Sequence, residues 1–233
     1  MIITFDGPVA SGKSSVAQFL AKKLGFYYIN TGFLYRAVTY CLLQFHGYNR
    51  ERLTHVDTQD LRSCIDRKRL VYTYTSETGP QVTYDNQDIT RLLKDAEIDH
   101  CVSLISPQQE VRHALSQLQQ QLAYERNVVC DGRDVGSVVF PKADYKFYLT
   151  ASLVVRAARW QKDQKVRGKI FTQEQAQASV NERDLQDSSR AHSPLVVPEH
   201  AIVIDSSNSS VEETVAHCLS FIRDKSKNYV SGV

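Results

Sequence analysis

The residues best suited to chemistry stand close to the amino end, in the stretch GPVASGKSS (residues 7–15). Gly7, Gly12, Lys13 and Ser14 fit the spacing G-x-x-x-x-G-K-S/T of a phosphate-binding loop. Between the glycines, Pro8, Val9, Ala10 and Ser11 let the backbone curl until several N–H groups face one anion-sized nest. A helix that starts just beyond adds its positive dipole end. Lys13 would reach the outer phosphates, the Ser14 hydroxyl would ligate a magnesium ion, and Ser15 closes the loop. The chemistry implied is the binding of a nucleoside triphosphate.

Such a loop does not separate a kinase from a nucleotide switch, so the acceptor side must come from elsewhere in the chain. VVCDGRDVGSVVFP (128–141) places Asp131 at the carboxyl end of a strand-like run, where ligands and magnesium meet in α/β sheets. Arg133 and Asp134 follow, and Gly132 and Gly136 are expected to supply unusual backbone angles. An Asx turn with a solvated ion pair fits the same residues. In NERDLQDSSRAHSPL (181–195), Arg183, Asp187 and Arg190 fall at i, i+4 and i+7, on one helical face. Spacing alone fits a ladder of ion pairs facing water equally well. RAARWQKDQKVRGK (156–169) carries Arg156, Arg159 and Arg167, cations suited to a lid over a triphosphate or to a solvated helix. In NTGFLYRA (30–37), Asn-Thr-Gly reads as a loop and Tyr35-Arg36 as the start of a helix; Arg36 could fork onto a phosphate or form a surface ion pair.

These clusters need a frame. IITF (2–5), NVVC (127–130), YKFYL (145–149) and AIVI (201–204) read as strand-like runs, IITF and NVVC as buried strands. Val16, Phe19, Leu20 and Leu24 fall at helical spacing, with Gly25 as a stop signal. The βαβ alternation predicts a parallel sheet flanked by helices, with ligands at the carboxyl ends of its strands. RLVYTYTSETGPQVTYDNQDIT (69–90) breaks the rhythm and reads as an antiparallel hairpin turning at Gly79-Pro80. The end, KNYVSGV (227–233), is expected to fray.

With 233 residues the chain can bury a substantial core. A net charge of +2 gives no electrostatic case for nucleic acid. Cys41, Cys64, Cys101, Cys130 and Cys218, odd in number and without a C-x-x-C pair, favour reduced thiols and a cytoplasmic setting. A strand and phosphate loop at the very start leave no room for a signal peptide, and no apolar run approaches a membrane span. The seven histidines show no metal-ligand spacing.

Taken in order and separation, DGPVASGKSS, NTGFLYRA, DGRDVGSVVFP and ERDLQDSSR resemble the bacterial cytidylate kinase family, over about residues 2–222. The resemblance implies a P-loop kinase of a single domain over 1–233, with a nucleoside-monophosphate-binding insert at about 66–100 and a lid at about 156–170. It implies phosphorylation of CMP and dCMP by ATP with Mg2+, in a monomer with no nucleic-acid or membrane partner. Lys13, Arg133, Arg183 and Asp131 would be catalytic; Gly7 to Ser15, with Arg156 and Arg159, would hold ATP. Arg36, Arg133 and Arg190 would hold the acceptor phosphate, with Thr31 beside it. Arg183 and Asp187 would contact the sugar, and Ser103, Arg112 and Asp134 would read the cytosine edge. Trp160 stands where relatives often carry arginine, and Asn30 where an aspartate is frequent. The nearest alternative is another small-acceptor kinase, of uridylate or dephospho-coenzyme-A type; a nucleotide-dependent switch is the rival of a different class.

Overall fold

The computed structural model describes residues 1–228; of the tail expected to fray, residues 229–233 lie outside the described residues. The chain runs β1 (Ile2–Asp6), α1 (Lys13–Leu24), β2 (Tyr27–Asn30), α2 (Thr31–Phe45), α3 (Thr58–Cys64), β3 (Leu70–Thr75), β4 (Gly79–Tyr84) and β5 (Gln87–Asp88). It continues through α4 (Ala96–Ile105), α5 (Gln109–Ala123), β6 (Val128–Asp131), β7 (Tyr145–Thr150), α6 (Leu153–Val166), α7 (Gln173–Ser188), β8 (Ile202–Asp205) and α8 (Val211–Asn228). These elements form two compact units, one of residues 1–26 with the chain from 127 onward, the other of residues 27–126.

In the first unit the parallel strands run in the order β6-β1-β7-β8. β1 is central, pairing Ile3 with Val129 on one side and with Tyr145 on the other. Such a strand is covered on both faces, which explains its unbroken apolar run. Ile3 and Phe5 are fully buried, and Phe5 stacks on Phe147 at 5.0 Å between ring centroids. Val16, Ala17, Leu20 and Ala21 are the buried stripe of α1, and Gly25 ends that helix in the left-handed conformation.

The second unit packs α2–α5 with the antiparallel sheet β3-β4-β5. Its hairpin turns at Ser76–Thr78, not at Gly79-Pro80: Thr75 pairs with Gly79, so those two residues open β4. Proline is tolerated there because a strand's first residues need not donate to the ladder. A second tight turn joins β4 to β5 through Asp85 and Asn86, both at positive φ, as a two-residue hairpin loop requires. Asn-Thr-Gly is likewise not a loop. Asn30 caps α2 by accepting the Phe33 amide at 3.1 Å, and Thr31 and Gly32 already lie in its first turn. The short strand β2 before it, YYIN, has too few residues to show a period.

Candidate active site

The phosphate loop sits between β1 and α1. A Cβ on Gly7 would stand 2.1 Å from the Leu149 carbonyl oxygen, so only glycine lets the loop cross β7 this closely. Gly12 caps α1 without a side-chain acceptor, leaving the first amides of the helix for an external anion. Lys13 is 6 % exposed and donates to the Pro8 carbonyl at 2.8 Å. Burial first, and the Arg133 charge second, push its ammonium down to about 7, against the pull of Asp131, Asp187 and Asp184. Ser14 Oγ donates to Asp131 Oδ2 at 2.6 Å. A hydroxyl and a carboxylate, both hard oxygen donors, suit magnesium, which keeps waters and substrate phosphates as its remaining ligands. The buried Ser11 hydroxyl has no hydrogen-bond partner among the described residues, so the loop retains a polar group for a bound phosphate.

On α6, Arg156 donates to the Ala151 carbonyl at 3.0 Å and to the Val9 carbonyl at 3.3 Å, and it pairs with Asp184. Arg159 donates to the Ser11 carbonyl at 3.2 Å and to Ser206. Both arginines assigned to a lid therefore reach the backbone of the phosphate loop. Trp160 does not extend this row of cations; it packs on Phe171 at 4.8 Å. Asp184 completes the connection, accepting the Val9 amide at 3.1 Å while it holds Arg156.

Asp187, 1 % exposed, gathers the acceptor-side arginines. It accepts from Arg133 Nε at 2.6 Å, pairs with Arg190, and has Arg183 Nε at 4.0 Å. Burial alone would raise its carboxyl; Arg133, Arg190 and Arg183 outweigh that and hold it below the usual carboxylate range. The water-facing ladder is therefore not what forms here. The single helical face is also corrected. α7 stops at Ser188, where the Ser189 amide closes the last turn on the Leu185 carbonyl, and Arg190 reaches Asp187 from beyond the helix end.

Between β6 and this cluster, Arg133 and Asp134 lead into one π-helical turn, Val135–Val139. Neither Gly132 nor Gly136 adopts positive φ. Gly136 is required for another reason: a Cβ there would lie 2.7 Å from Thr4 Oγ1 and 2.8 Å from Asp6 Oδ2.

In the second unit, Arg36 pairs with Asp99 at 2.5 Å, and Thr31 is buried at the start of α2. Ser103 on α4 donates to the His100 carbonyl at 2.6 Å. Arg112 on α5 is 4 % exposed, donates to the Ser106 carbonyl at 2.8 Å and lies over the Tyr35 ring at 5.7 Å.

The family model for cytidylate kinase matches residues 3–224. The chain belongs to the cytidylate kinase family. It is 39 % identical over 228 residues to a cytidylate kinase of Caldanaerobacter subterraneus subsp. tengcongensis, covering 98 % of this chain and 97 % of that protein. Among solved structures, an uncharacterized protein from Eubacterium ventriosum superposes with a TM-score of 0.52 at 11 % identity, covering 96 % of this chain and 98 % of the other. That likeness concerns the fold alone.

In this family member, three side chains that touch the site residues escaped the reading of the sequence. Asp184 was visible as the second acid of ERDLQD, but nothing in the spacing says that it turns toward the phosphate loop. Asp99 carries no motif, and Tyr35 reads within NTGFLYRA only as the start of a helix; their partners, Arg36 and Arg112, are remote in sequence. The Asp184 link predicts a selective defect. Asp184→Ala leaves the Val9 amide without its side-chain acceptor and Arg156 without its carboxylate, which costs about 1–3 kcal/mol. The Kd for ATP in equilibrium titration should rise roughly fivefold or more, with the preference for CMP over UMP unchanged.

Proposed function

We infer that the chain transfers the γ-phosphoryl group of ATP to CMP and dCMP, giving ADP with CDP or dCDP. The observation that carries this reading is the placement, in one unit, of a phosphate loop and a buried carboxylate gathering three arginines, with Lys13 within electrostatic reach of Arg133 and Asp187.

A phosphate oxygen of the acceptor attacks the γ-phosphorus in line as the bond to the β–γ bridging oxygen breaks, and ADP leaves with that electron pair. An acceptor phosphate is already an anion at neutral pH, so the protein has no proton to remove. Its work is positioning and charge neutralisation. Ser14 and Asp131 would hold magnesium, which would supply neutralising charge on the phosphates when bound. Lys13 follows the transferring group, while Arg156 and Arg159 close over the outer phosphates. Arg133, Arg190 and Arg36 grip the acceptor phosphate beside Thr31; Arg183 and Asp187 meet the sugar. Ser103, Arg112 and Asp134 read the base. In the absence of substrate, Asp187 spares Arg133 and Arg190 much of their mutual repulsion. The region of about 66–100 serves as the acceptor-binding insert. A cytoplasmic setting is supported by five buried cysteines, all with free thiols.

Coupled ADP release measured with CMP, dCMP, UMP and no acceptor tests the reading. Release fastest with CMP and dCMP is expected. Equal release without an acceptor would make the chain an ATPase, and preference for UMP would make it a uridylate kinase. Within the same assay, Arg190→Ala should raise KM for CMP and lower kcat together, roughly tenfold or more in kcat/KM, because a loosened acceptor loses its attack geometry. ATP binding measured without CMP should change little; a fall in ATP affinity with unchanged CMP kinetics would move Arg190 to the donor side.

A further inference from the structure

Asp6, the last residue of β1, is fully buried and stands immediately before the phosphate loop. Its Oδ1 accepts the Val135 amide at 2.6 Å and its Oδ2 accepts the Gly136 amide at 2.7 Å. Those are the first amides of the π-helical turn, donors with no partner inside the turn itself. One residue earlier in β1, the Phe5 carbonyl accepts the Gly132 amide at 2.9 Å. The segment 132–136 is thus tied at both ends to consecutive residues of one strand, and the two residues between the ties are Arg133 and Asp134.

We propose that Asp6 is a positioning residue for the acceptor side of the reaction: by clamping the Val135 and Gly136 amides it aims Arg133 and Asp134. The inference rests on the roles given to those two residues under the proposed function. Several features support a dedicated clamp over incidental packing. Burial raises the Asp6 carboxyl to about 7, against the lowering effect of its two amide donors, so this is a costly place for a carboxylate unless both oxygens are used. Gly136 is shaped to the contact, since a Cβ there would stand 2.8 Å from Asp6 Oδ2. A π-helical turn directly after a ligand loop also recurs at functional sites. Because Asp6 adjoins Gly7, the same strand end sets the start of the donor loop and the aim of the acceptor loop.

Asp6→Asn tests the clamp, since an amide offers one acceptor oxygen and turns an N–H donor toward a backbone donor. Gly136→Ala disturbs the same contact from the turn and leaves the carboxylate in place. In both variants kcat/KM for CMP should fall roughly tenfold or more, as a misaimed acceptor does. The CMP-over-UMP ratio of kcat/KM should fall with it, and the Kd for ATP without acceptor should stay within about twofold of wild type. A role in general stability would lower the melting temperature without moving the base ratio. The proposal is overturned if both variants keep wild-type CMP kinetics and base ratio. It is also overturned if Gly136→Ala loses ATP affinity in step with CMP turnover. Failure of the functional reading would look different, since the wild-type protein itself would then not prefer CMP.

Discussion

Lys13→Ala is expected to lower kcat by roughly a hundred- to a thousandfold, the scale seen when one preorganised charge or donor is removed from a developing anion, with the folded state intact. Among the described residues Lys13 gives its ammonium to one loop carbonyl, that of Pro8, in a buried position. Burial and Arg133 push its proton affinity down to about 7, so the protein gains little from keeping a cation there. In the proposed reaction a triphosphate would change the balance, because the negative charge that builds on the transferring group would face this amine. Removing a buried cation that lacks a tight carboxylate partner should leave thermal unfolding within a few degrees of wild type. Steady-state kcat and a melting curve on the same preparation decide the matter. Wild-type turnover with unchanged melting would remove the phosphate loop from the donor site.

The second large effect concerns base choice. Cytosine presents an exocyclic amine beside the acceptors N3 and O2, whereas uracil presents a carbonyl oxygen beside an N–H. A carboxylate such as Asp134 accepts from the cytosine amine but opposes the uracil carbonyl, and a guanidinium such as Arg112 suits the cytosine acceptors. Asp134 is 6 % exposed and Arg112 is 4 % exposed, so a wrong base would set like dipoles against groups largely shielded from water. Two mismatches of about 1–3 kcal/mol each supply on the order of a hundredfold discrimination. Asp134→Asn substitutes an N–H donor that meets the uracil carbonyl. The ratio of kcat/KM for CMP over UMP should therefore drop by roughly tenfold or more, mainly through loss of CMP activity, with Arg112 keeping the rest. A solvated Asx turn at this position would predict no change, and an unchanged ratio would place the reading of cytosine elsewhere.

The donor half of the site is legible in the sequence because its parts are neighbours. A buried strand, a glycine-bounded loop and a helix start fall within twenty-four residues, and each follows from local rules of backbone freedom, periodicity and capping. The parallel sheet is legible for a similar reason, since strands buried on both faces read as short apolar runs between helices. The acceptor half resisted. Motif order pointed to Arg133, Asp187 and Arg190, but spacing described Asp187 as one rung of a solvated ladder, and burial beneath Arg133 made it the hub of the cluster. Turn positions drifted where local signals compete, as at Gly79-Pro80, where sheet register placed the bend three residues earlier. The partners of Asp6 and Asp184 lay beyond the sequence: one is a strand residue whose partners are 129 and 130 positions away, the other a helix residue bonded to an amide 175 positions away. Local sequence determines which backbone can cradle a phosphate and which stretches become strands. Which buried carboxylate meets which amide or guanidinium is decided only when the strands pair and the helices pack, because a buried polar group takes whatever partner the tertiary structure brings within hydrogen-bond reach.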